Sequence, residues 1–231
     1  VTQRTTSVAV SGLTNVVELA AGYSHTCALK SDGSVWCWGL NTNGQLGDGT
    51  LTQRTTPVAV SGITNAVDIA AGYYHTCAVL QGGAVRCWGI NTYGQLGDGT
   101  TTQRTTSVAV AGITSAAPNV SAGFGHTCVR LTDNTLRCWG LNNNGQLGNN
   151  TTTNAGAPTA VLSGASTMLA GVAAVTVGSY HSCARLTDST VRCWGWNPYG
   201  QVGDSTVTQR LLATTVTGVT GALDLGASTV G

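Results

Sequence analysis

The sequence predicts an all-β fold built from repeated units. One segment returns four times with a period of about 50 residues, and its histidine stands at positions 25, 75, 126 and 181. Each period contains several short apolar runs bounded by Gly, Asn and Ser, and no stretch shows a helical period with capping residues. Repeats of this length and pattern are typical of a β-propeller or a β-solenoid array.

The first unit illustrates the expected elements. Its apolar runs predict strands at residues 8–10, 16–20, 26–29 and 35–38. Connecting segments that begin Thr-Gln-Arg also repeat, and the first and last of them are expected to be unpartnered. This leaves open whether the chain is a fragment of a longer protein or one subunit of an assembly. We interpret residues 1–231 as a single repeat domain whose units lie approximately at 1–50, 51–100, 101–151 and 152–206, with a partial unit at 207–231.

The composition excludes several classes of function. Only 8% of the 231 residues are charged and the formal net charge is +1, which argues against the basic face that nucleic-acid binding requires. A hydrophobic fraction of 42% argues against disorder. No run of about 20 apolar residues predicts a membrane span. The chain begins at Val1 without a basic and apolar leader, so we interpret it as a mature or trimmed product.

The eight cysteines form four pairs, and the two members of every pair are ten positions apart. If a hairpin with a three-residue loop joins them, the two cysteines face each other, and facing Cβ atoms lie about 4.5–5.5 Å apart, close to disulfide range. We therefore predict one cross-strand disulfide per unit and an oxidising compartment, extracellular or at the cell surface. The predicted pairs are Cys27 with Cys37, Cys77 with Cys87, Cys128 with Cys138, and Cys183 with Cys193.

A metal site is the main alternative for these cysteines. Each unit contains a His-Thr-Cys or His-Ser-Cys run and a second cysteine, and His25 and Cys27 share one face of a strand. Zinc sites, however, favour cysteines separated by about two to four residues. Free thiols are a third possibility. No cofactor is predicted, because the chain also lacks a haem-attachment motif.

The repeated motif identifies a family. In the first unit its residues are Gly22, His25, Thr26, Leu29, Asp32, Gly33, Val35, Trp38, Gly39, Asn41, Gly44, Gln45, Leu46 and Gly47. This motif resembles the repeat of the regulator of chromosome condensation family over essentially the whole chain. The resemblance implies a β-propeller-like array of four-stranded antiparallel blades. The chain departs from the family in having about four and a half repeats instead of seven and a cysteine pair in each unit, which we interpret as a bacterial, secreted form.

Side chains that recur in every unit are interpreted as structural. A catalytic residue normally occurs once with unique partners, whereas the histidine of each unit is expected to bond a neighbouring backbone group. The Trp after each second cysteine is expected to pack between blades, because aromatic side chains bury a large area. No catalytic residue and no metal ligand is predicted, and we expect the chain not to be an enzyme.

Exposed aromatic and arginine residues are the candidate partner contacts. Trp36 and Trp196 interrupt the repeat, and Tyr74 and Tyr199 are further candidates, since Tyr and Trp are enriched at the centres of protein interfaces. The Thr-Gln-Arg motif presents one arginine per connecting segment, either to a partner or to nearby carbonyls. These arginines are Arg4, Arg54, Arg104 and Arg210.

Three hypotheses of function stay open. The first is a secreted or cell-surface module for protein interaction or self-assembly, with a filament as one form because head-to-tail contacts that do not close generate filaments. The second is an inhibitor of a secreted enzyme, because the propeller-type β-lactamase inhibitory protein resembles the same repeat family and blocks its target with an aromatic face. The candidate anchors of such a face in this chain are Tyr23, Tyr73, Tyr74, Phe124, Tyr180, Trp196 and Tyr199. The third is glycan binding by repeated aromatic and Asn side chains.

Overall fold

The computed structural model describes residues 5–226, whose regular secondary structure consists of sixteen β-strands. The strands form four antiparallel sheets of four, which confirms the predicted blades. Blade 1 contains β1 (Val16–Ala21), β2 (His25–Lys30), β3 (Val35–Gly39) and β4 (Arg54–Ala59). Blade 2 contains β5 (Ala66–Ala71), β6 (His75–Leu80), β7 (Val85–Gly89) and β8 (Arg104–Ala109). Blade 3 contains β9 (Ala116–Ala122), β10 (His126–Leu131), β11 (Leu136–Gly140) and β12 (Ala155–Ala160). Blade 4 contains β13 (Val172–Val177), β14 (His181–Leu186), β15 (Val191–Gly195) and β16 (Arg210–Thr215).

The hairpin between the second and third strands has the predicted register in all four blades. Each first cysteine lies directly opposite its second cysteine, as Cys27 lies opposite Cys37. The third residue of each loop is left-handed, with φ values of 78° at Gly33, 84° at Gly83, 60° at Asn134 and 64° at Ser189. Ser189 adopts this conformation although a Cβ makes it unfavourable by roughly 1–2 kcal/mol, so the register of the hairpin overrides the local preference.

Three of the Thr-Gln-Arg segments lead into outer strands, and each of these strands belongs to the blade that precedes it. β4 pairs with β3 and completes blade 1, and β8 and β16 do the same in blades 2 and 4. The last connecting segment is therefore partnered, contrary to expectation. The strand expected at residues 8–10 is wrong: residues 5–10 form no strand, because no third strand of an earlier blade lies beside them in the described part of the chain.

Apolar cores fill the junctions between neighbouring blades. At the first junction Cys37 and Leu46 of blade 1 pack in one cluster with Ile69 and Trp88 of blade 2. Similar clusters join blade 2 to blade 3 and blade 3 to blade 4. The inner strands β1, β5, β9 and β13 contact one another in that order. Within residues 5–226 no core cluster joins blade 4 to blade 1, so the blades form a row with two end faces.

Candidate functional site

The predicted disulfides are present in every blade. They join Cys27 to Cys37, Cys77 to Cys87, Cys128 to Cys138, and Cys183 to Cys193. Their S–S distances are 2.07–2.11 Å and the paired Cα atoms are 4.1 Å apart. All eight sulfurs are bonded in these pairs, so no thiolate is left to bind a metal. Residues 5–226 also contain no group of three or more His, Cys, Asp or Glu side chains suited to a metal ion.

The disulfide of blade 3 differs from the others in its contact with the outer strand. The backbone carbonyl oxygen of Cys138 accepts a hydrogen bond from Thr159 Oγ1 at 3.0 Å. In blades 1 and 2 an apolar residue, Val58 or Val108, stands opposite the equivalent cysteine. Cys138 itself is fully buried in the junction between blades 3 and 4. The sulfur of Cys138 and its carbonyl oxygen are therefore both bonded within blade 3.

Aromatic side chains form a continuous row along one rim of the four blades. The ring of Tyr23 stacks on Tyr73 with a centroid distance of 4.7 Å and an interplanar angle of 7°. Tyr73 contacts Phe124 at 4.8 Å, and Phe124 contacts Tyr180 at 5.1 Å. Trp196 lies 5.9 Å from Tyr180. We call the connected set the aromatic row: Tyr23, Tyr73, Tyr74, Tyr93, Phe124, Tyr180, Trp196 and Tyr199.

Two loops of each blade bring these rings together. The loop between the first and second strands and the loop after the third strand lie at the same end of an antiparallel sheet. Gly22 allows close approach, because a Cβ there would overlap both the ring of His25 and the carbonyl oxygen of Gly72 in the next blade. The row is an uncharged strip, since no charged residue occurs in the segments that carry the rings, which are residues 22–24, 72–74, 90–96, 123–125, 178–180 and 196–201.

The structure places three of the four predicted aromatic contacts in this row. Tyr74, Trp196 and Tyr199 belong to it, whereas Trp36 does not. The indole nitrogen of Trp36 donates to Ser34 Oγ at 3.2 Å, and Lys30 Nζ lies 5.8 Å from its ring. Sequence reasoning missed Tyr93, which stands where the first and third units carry Asn.

The arginines of the connecting segments form ion pairs within the chain. Arg54 reaches Asp48 at 2.7 Å and Arg104 reaches Asp98 at 2.8 Å, and Arg210 makes the same pair with Asp204. The carboxylates are almost wholly buried, and hydrogen bonds from the neighbouring threonine and arginine lower the pKa of each against the opposing effect of burial. In the third unit Asn149 replaces the aspartate and Ala155 replaces the arginine, so both partners of the ion pair are absent there. Arg4 lies outside the described residues.

The same hydrogen bonds connect the blades at every junction. At the first junction Thr76 Oγ1 and Trp88 Nε1 both donate to the carbonyl oxygen of Gln45, each at 2.9 Å. The hydroxyl of Thr76 also lies 2.9 Å from His25 Nε2. The second junction repeats this set of hydrogen bonds with His75, Thr127, Gln95 and Trp139. The third junction repeats it with His126, Ser182, Gln146 and Trp194. The histidine therefore bonds a hydroxyl of the next blade and not a neighbouring backbone group, so that part of the sequence prediction is wrong.

These hydrogen bonds determine the tautomer of the histidines, and burial determines their protonation. A hydroxyl has one proton, and Thr76 gives it to the carbonyl of Gln45, so His25 must donate from Nε2. The Nδ1 atoms of His25, His75 and His126 are buried and have no hydrogen-bond partner within residues 5–226. Burial lowers the pKa of His25 to about 4, and burial together with the neighbouring histidines lowers the pKa of His75 and His126 to about 3. The three imidazoles are neutral at pH 7.

Two carboxyl groups meet on neighbouring inner strands. Glu18 of β1 and Asp68 of β5 share a hydrogen bond, and Asp68 Oδ2 accepts the backbone N–H of Val120 at 2.6 Å. Burial, and then the adjacent Asp68, raises the pKa of Glu18 to about 7, and burial raises the pKa of Asp68. Both residues occupy the same position of successive units, the signal by which sequence alone suggests the pairing. A proton on Glu18 removes the repulsion between these two carboxylates of neighbouring blades.

The whole chain matches one protein family. The RCC1-like domain family matches residues 2–228, as the motif in each unit predicts. The chain belongs to the RCC1-like domain family. Within residues 5–226 of this RCC1-like domain, no helix is long and apolar enough to span a membrane.

Solved structures with the same fold are longer than this RCC1-like domain. Human WBSCR16 is 21% identical with a TM-score of 0.79, and the match covers 92% of this chain and 56% of that one. Yeast RCC1 (Prp20), solved with Kap60 bound, is 22% identical with a TM-score of 0.74, over 87% of this chain and 48% of that one. Prp20p from Saccharomyces cerevisiae is 23% identical with a TM-score of 0.73, and the match covers 90% of this chain and 52% of that one. The chain thus spans about half the length of these structures.

Proposed function

We propose that this RCC1-like domain is a non-enzymatic module that binds another protein through its aromatic row. The observation that carries the proposal is that eight aromatic side chains from all four blades contact one another at one rim, while none belongs to the apolar cores of the junctions. Large aromatic side chains dominate the energy of protein interfaces. An uncharged row suits an apolar or neutral surface on the partner.

Two further facts support a protein partner in an oxidising compartment. Yeast RCC1 is described in complex with Kap60, and Prp20p is described with binding to Gsp1p and histones, so related folds bind proteins. Four disulfides in a chain of 231 residues favour the cell surface or the extracellular space over the cytosol.

The test replaces three partly buried rings at the centre of the aromatic row. The immobilised wild-type chain and a Tyr73→Ser/Phe124→Ser/Tyr180→Ser variant are exposed to the secreted proteins of the source culture, and retained proteins are purified and titrated by calorimetry. We expect a partner that binds the wild type and binds the triple variant at least about 100-fold more weakly, as expected when several interface anchors are lost. Leu51→Ser, an exposed apolar residue outside the row, is the control and should bind normally. Equal binding to the triple variant would contradict the proposal.

A secreted enzyme is a second candidate for the partner. The aromatic anchors that an inhibitor of this type requires lie together in one row, which favours this candidate over glycan binding. Sugar rings stack on free aromatic faces, whereas Tyr23 and Tyr73 already cover each other. Inhibition of a co-secreted hydrolase that is lost in the triple variant would support this candidate; a hydrolase panel without inhibition would dismiss it.

Self-association is the other part of the proposed function. It is supported by the two end faces of the row of blades, of which the face on blade 1 leaves Val16 and Leu19 exposed. Contiguous exposed apolar residues of this kind mark interaction sites.

A further inference from the structure

We infer that blade 1 of one copy docks on blade 4 of a second copy through the junction that the chain already uses three times. This inference rests on the self-association part of the proposed function and is independent of the aromatic row. At each internal junction the earlier blade contributes a trailing face, namely the histidine, the Gln carbonyl and a Gly-rich loop. The later blade contributes a leading face, namely the Thr or Ser hydroxyl, the Trp and an apolar side chain of the inner strand.

Blade 1 carries a complete leading face that is open to solvent. Leu19 is 64% exposed, whereas its counterparts Ile69, Val120 and Val175 are 4%, 7% and 4% exposed at the formed junctions. Trp38 is only partly buried, and within residues 5–226 its indole nitrogen has no hydrogen-bond partner. The leading face of blade 1 therefore has the groups of the internal junctions without the surface that covers them.

Blade 4 carries the matching trailing face. The ring of His181 and the carbonyl oxygen of Gln201 stand where His126 and the carbonyl oxygen of Gln146 bind blade 4 itself, and neither has a hydrogen-bond partner among the described residues. A Cβ on Gly47 would lie 2.8 Å from the indole of Trp88, whereas a Cβ on Gly203 would meet only Val216. Among the described residues, no indole therefore lies beside Gly203 in the way that Trp88 lies beside Gly47.

The loop of blade 4 also presents a groove for an outer strand. The groove measures about 690 Å³ and is lined by Gly200, Gly203, Thr217 and residues 205–208. In blade 1 the corresponding loop is covered by β8, where Gly49 N–H donates to the carbonyl oxygen of Thr105 at 3.0 Å. Thr55 of a second copy occupies the position of Thr105 in its own blade, so its β4 fits this groove.

Docking requires one local displacement. Residues 219–226 lie over part of the trailing face, where Ala222 N–H donates to the carbonyl oxygen of Ser189 at 3.1 Å. This segment takes the place of an inner strand without forming one, and its Ala222 and Leu225 pack against the core of blade 4. Leu225 stands where Ile69 stands at the first junction, so a docking copy has to displace it. The incoming β1, which is already paired with β2, buries Leu19 in its place.

The test measures self-association of the 231-residue chain by sedimentation velocity from low micromolar to millimolar concentration. We expect concentration-dependent growth in multiples of 23.4 kDa. Leu19→Lys places a charge in the docked face and should weaken association at least tenfold. Val17→Lys is the control: Val17 is similarly exposed at 62%, but its counterpart Val67 stays 41% exposed at a formed junction, so association should be unchanged. A variant that ends at Gly218 should associate more tightly, because the competing segment is gone.

Two results would overturn the inference, and they differ in what else they affect. Association that is equally strong in Leu19→Lys removes the proposed interface but leaves self-association standing. A chain that stays monomeric at every concentration removes self-association as well. Binding of a partner to the aromatic row is measured separately, and Leu19→Lys leaves that row intact.

Discussion

At the scale of single residues, one backbone oxygen per junction organises the contact between blades. The carbonyl oxygen of Gln95 accepts from both Thr127 Oγ1 and Trp139 Nε1, at 3.1 and 2.9 Å. The side chain of the same glutamine holds its loop, because Gln95 Oε1 accepts the backbone N–H of Tyr93 at 2.9 Å. The glutamine thus aims its carbonyl at the next blade through a bond that it makes within its own loop.

Removing one of these donors gives a direct measure of the junction. Trp139→Phe keeps an aromatic ring but loses the bond to Gln95 and leaves a small cavity, so we expect a loss of about 2–3 kcal/mol in the free energy of unfolding. Trp38→Phe is the matched control and should change it by less than about 0.5 kcal/mol, as surface substitutions do. Urea unfolding at a concentration where the chain is monomeric compares the two, and equal losses would contradict the role of the Gln95 carbonyl.

Sequence reasoning identified these residues as structural but could not supply their partners. The repetition of His and Trp in every unit favours a structural role over a unique catalytic one, and that much follows from the sequence. The partner of His25 is Thr76, 51 positions away, and nothing local to His25 distinguishes that hydroxyl from a nearby carbonyl. Seven of the eight members of the aromatic row were named from the sequence as candidate anchors of one aromatic face, but their mutual contacts could not be predicted, since those contacts run between blades.

At the scale of elements, the disulfide hairpin was predictable because all of its determinants are local. The cysteine spacing, the loop length and the left-handed third position lie within eleven residues, and the register follows from them. The outer strand was assigned less well. Its pairing partner belongs to the preceding unit, so the segment at residues 5–10 has the sequence of a strand without the neighbour that would make it one.

The four disulfides should differ in their resistance to reduction. Cys183 and Cys193 are 8% and 4% exposed, while the cysteines of blades 1–3 are fully buried, so mild reductant should open the blade 4 bond first. Alkylation with iodoacetamide followed by peptide mass spectrometry gives the order. Uniform labelling of all four pairs would contradict this order.

Replacing Cys77 and Cys87 by Ala should lower the free energy of unfolding by about 3 kcal/mol, the value for closing a short loop.

At the scale of the whole molecule, the buried histidines make stability depend on pH. Their pKa values of about 3 to 4 lie below the ordinary 6.5, so the folded state prefers the neutral imidazole. The contribution of these histidines to the free energy of unfolding is therefore complete above pH 6.5 and is lost as the pH falls toward 4. Three such groups together lose up to about 4 kcal/mol per pH unit. Glu18 acts in the opposite direction between pH 7 and 4.5, because its raised pKa favours the protonated form in the folded state.

Urea midpoints between pH 7.5 and 4.5 test this balance. We expect the wild type to lose most of its stability by pH 5, and Glu18→Gln to lose it more steeply, because a glutamine binds no proton that could offset the histidines. A flat profile over this range, or an identical slope in Glu18→Gln, would contradict the assignment of neutral buried histidines and of a protonated Glu18.

The shared chemistry of the junctions also bears on how such a chain can change its length. Because blades 2 and 3 present interchangeable surfaces, excision of one full period, from a point in one connector to the equivalent point in the next, joins surfaces that already match. Duplication of a period does the same in the opposite direction. Recombination between the near-identical connectors can therefore vary the number of blades while every new contact is one that the protein has already used.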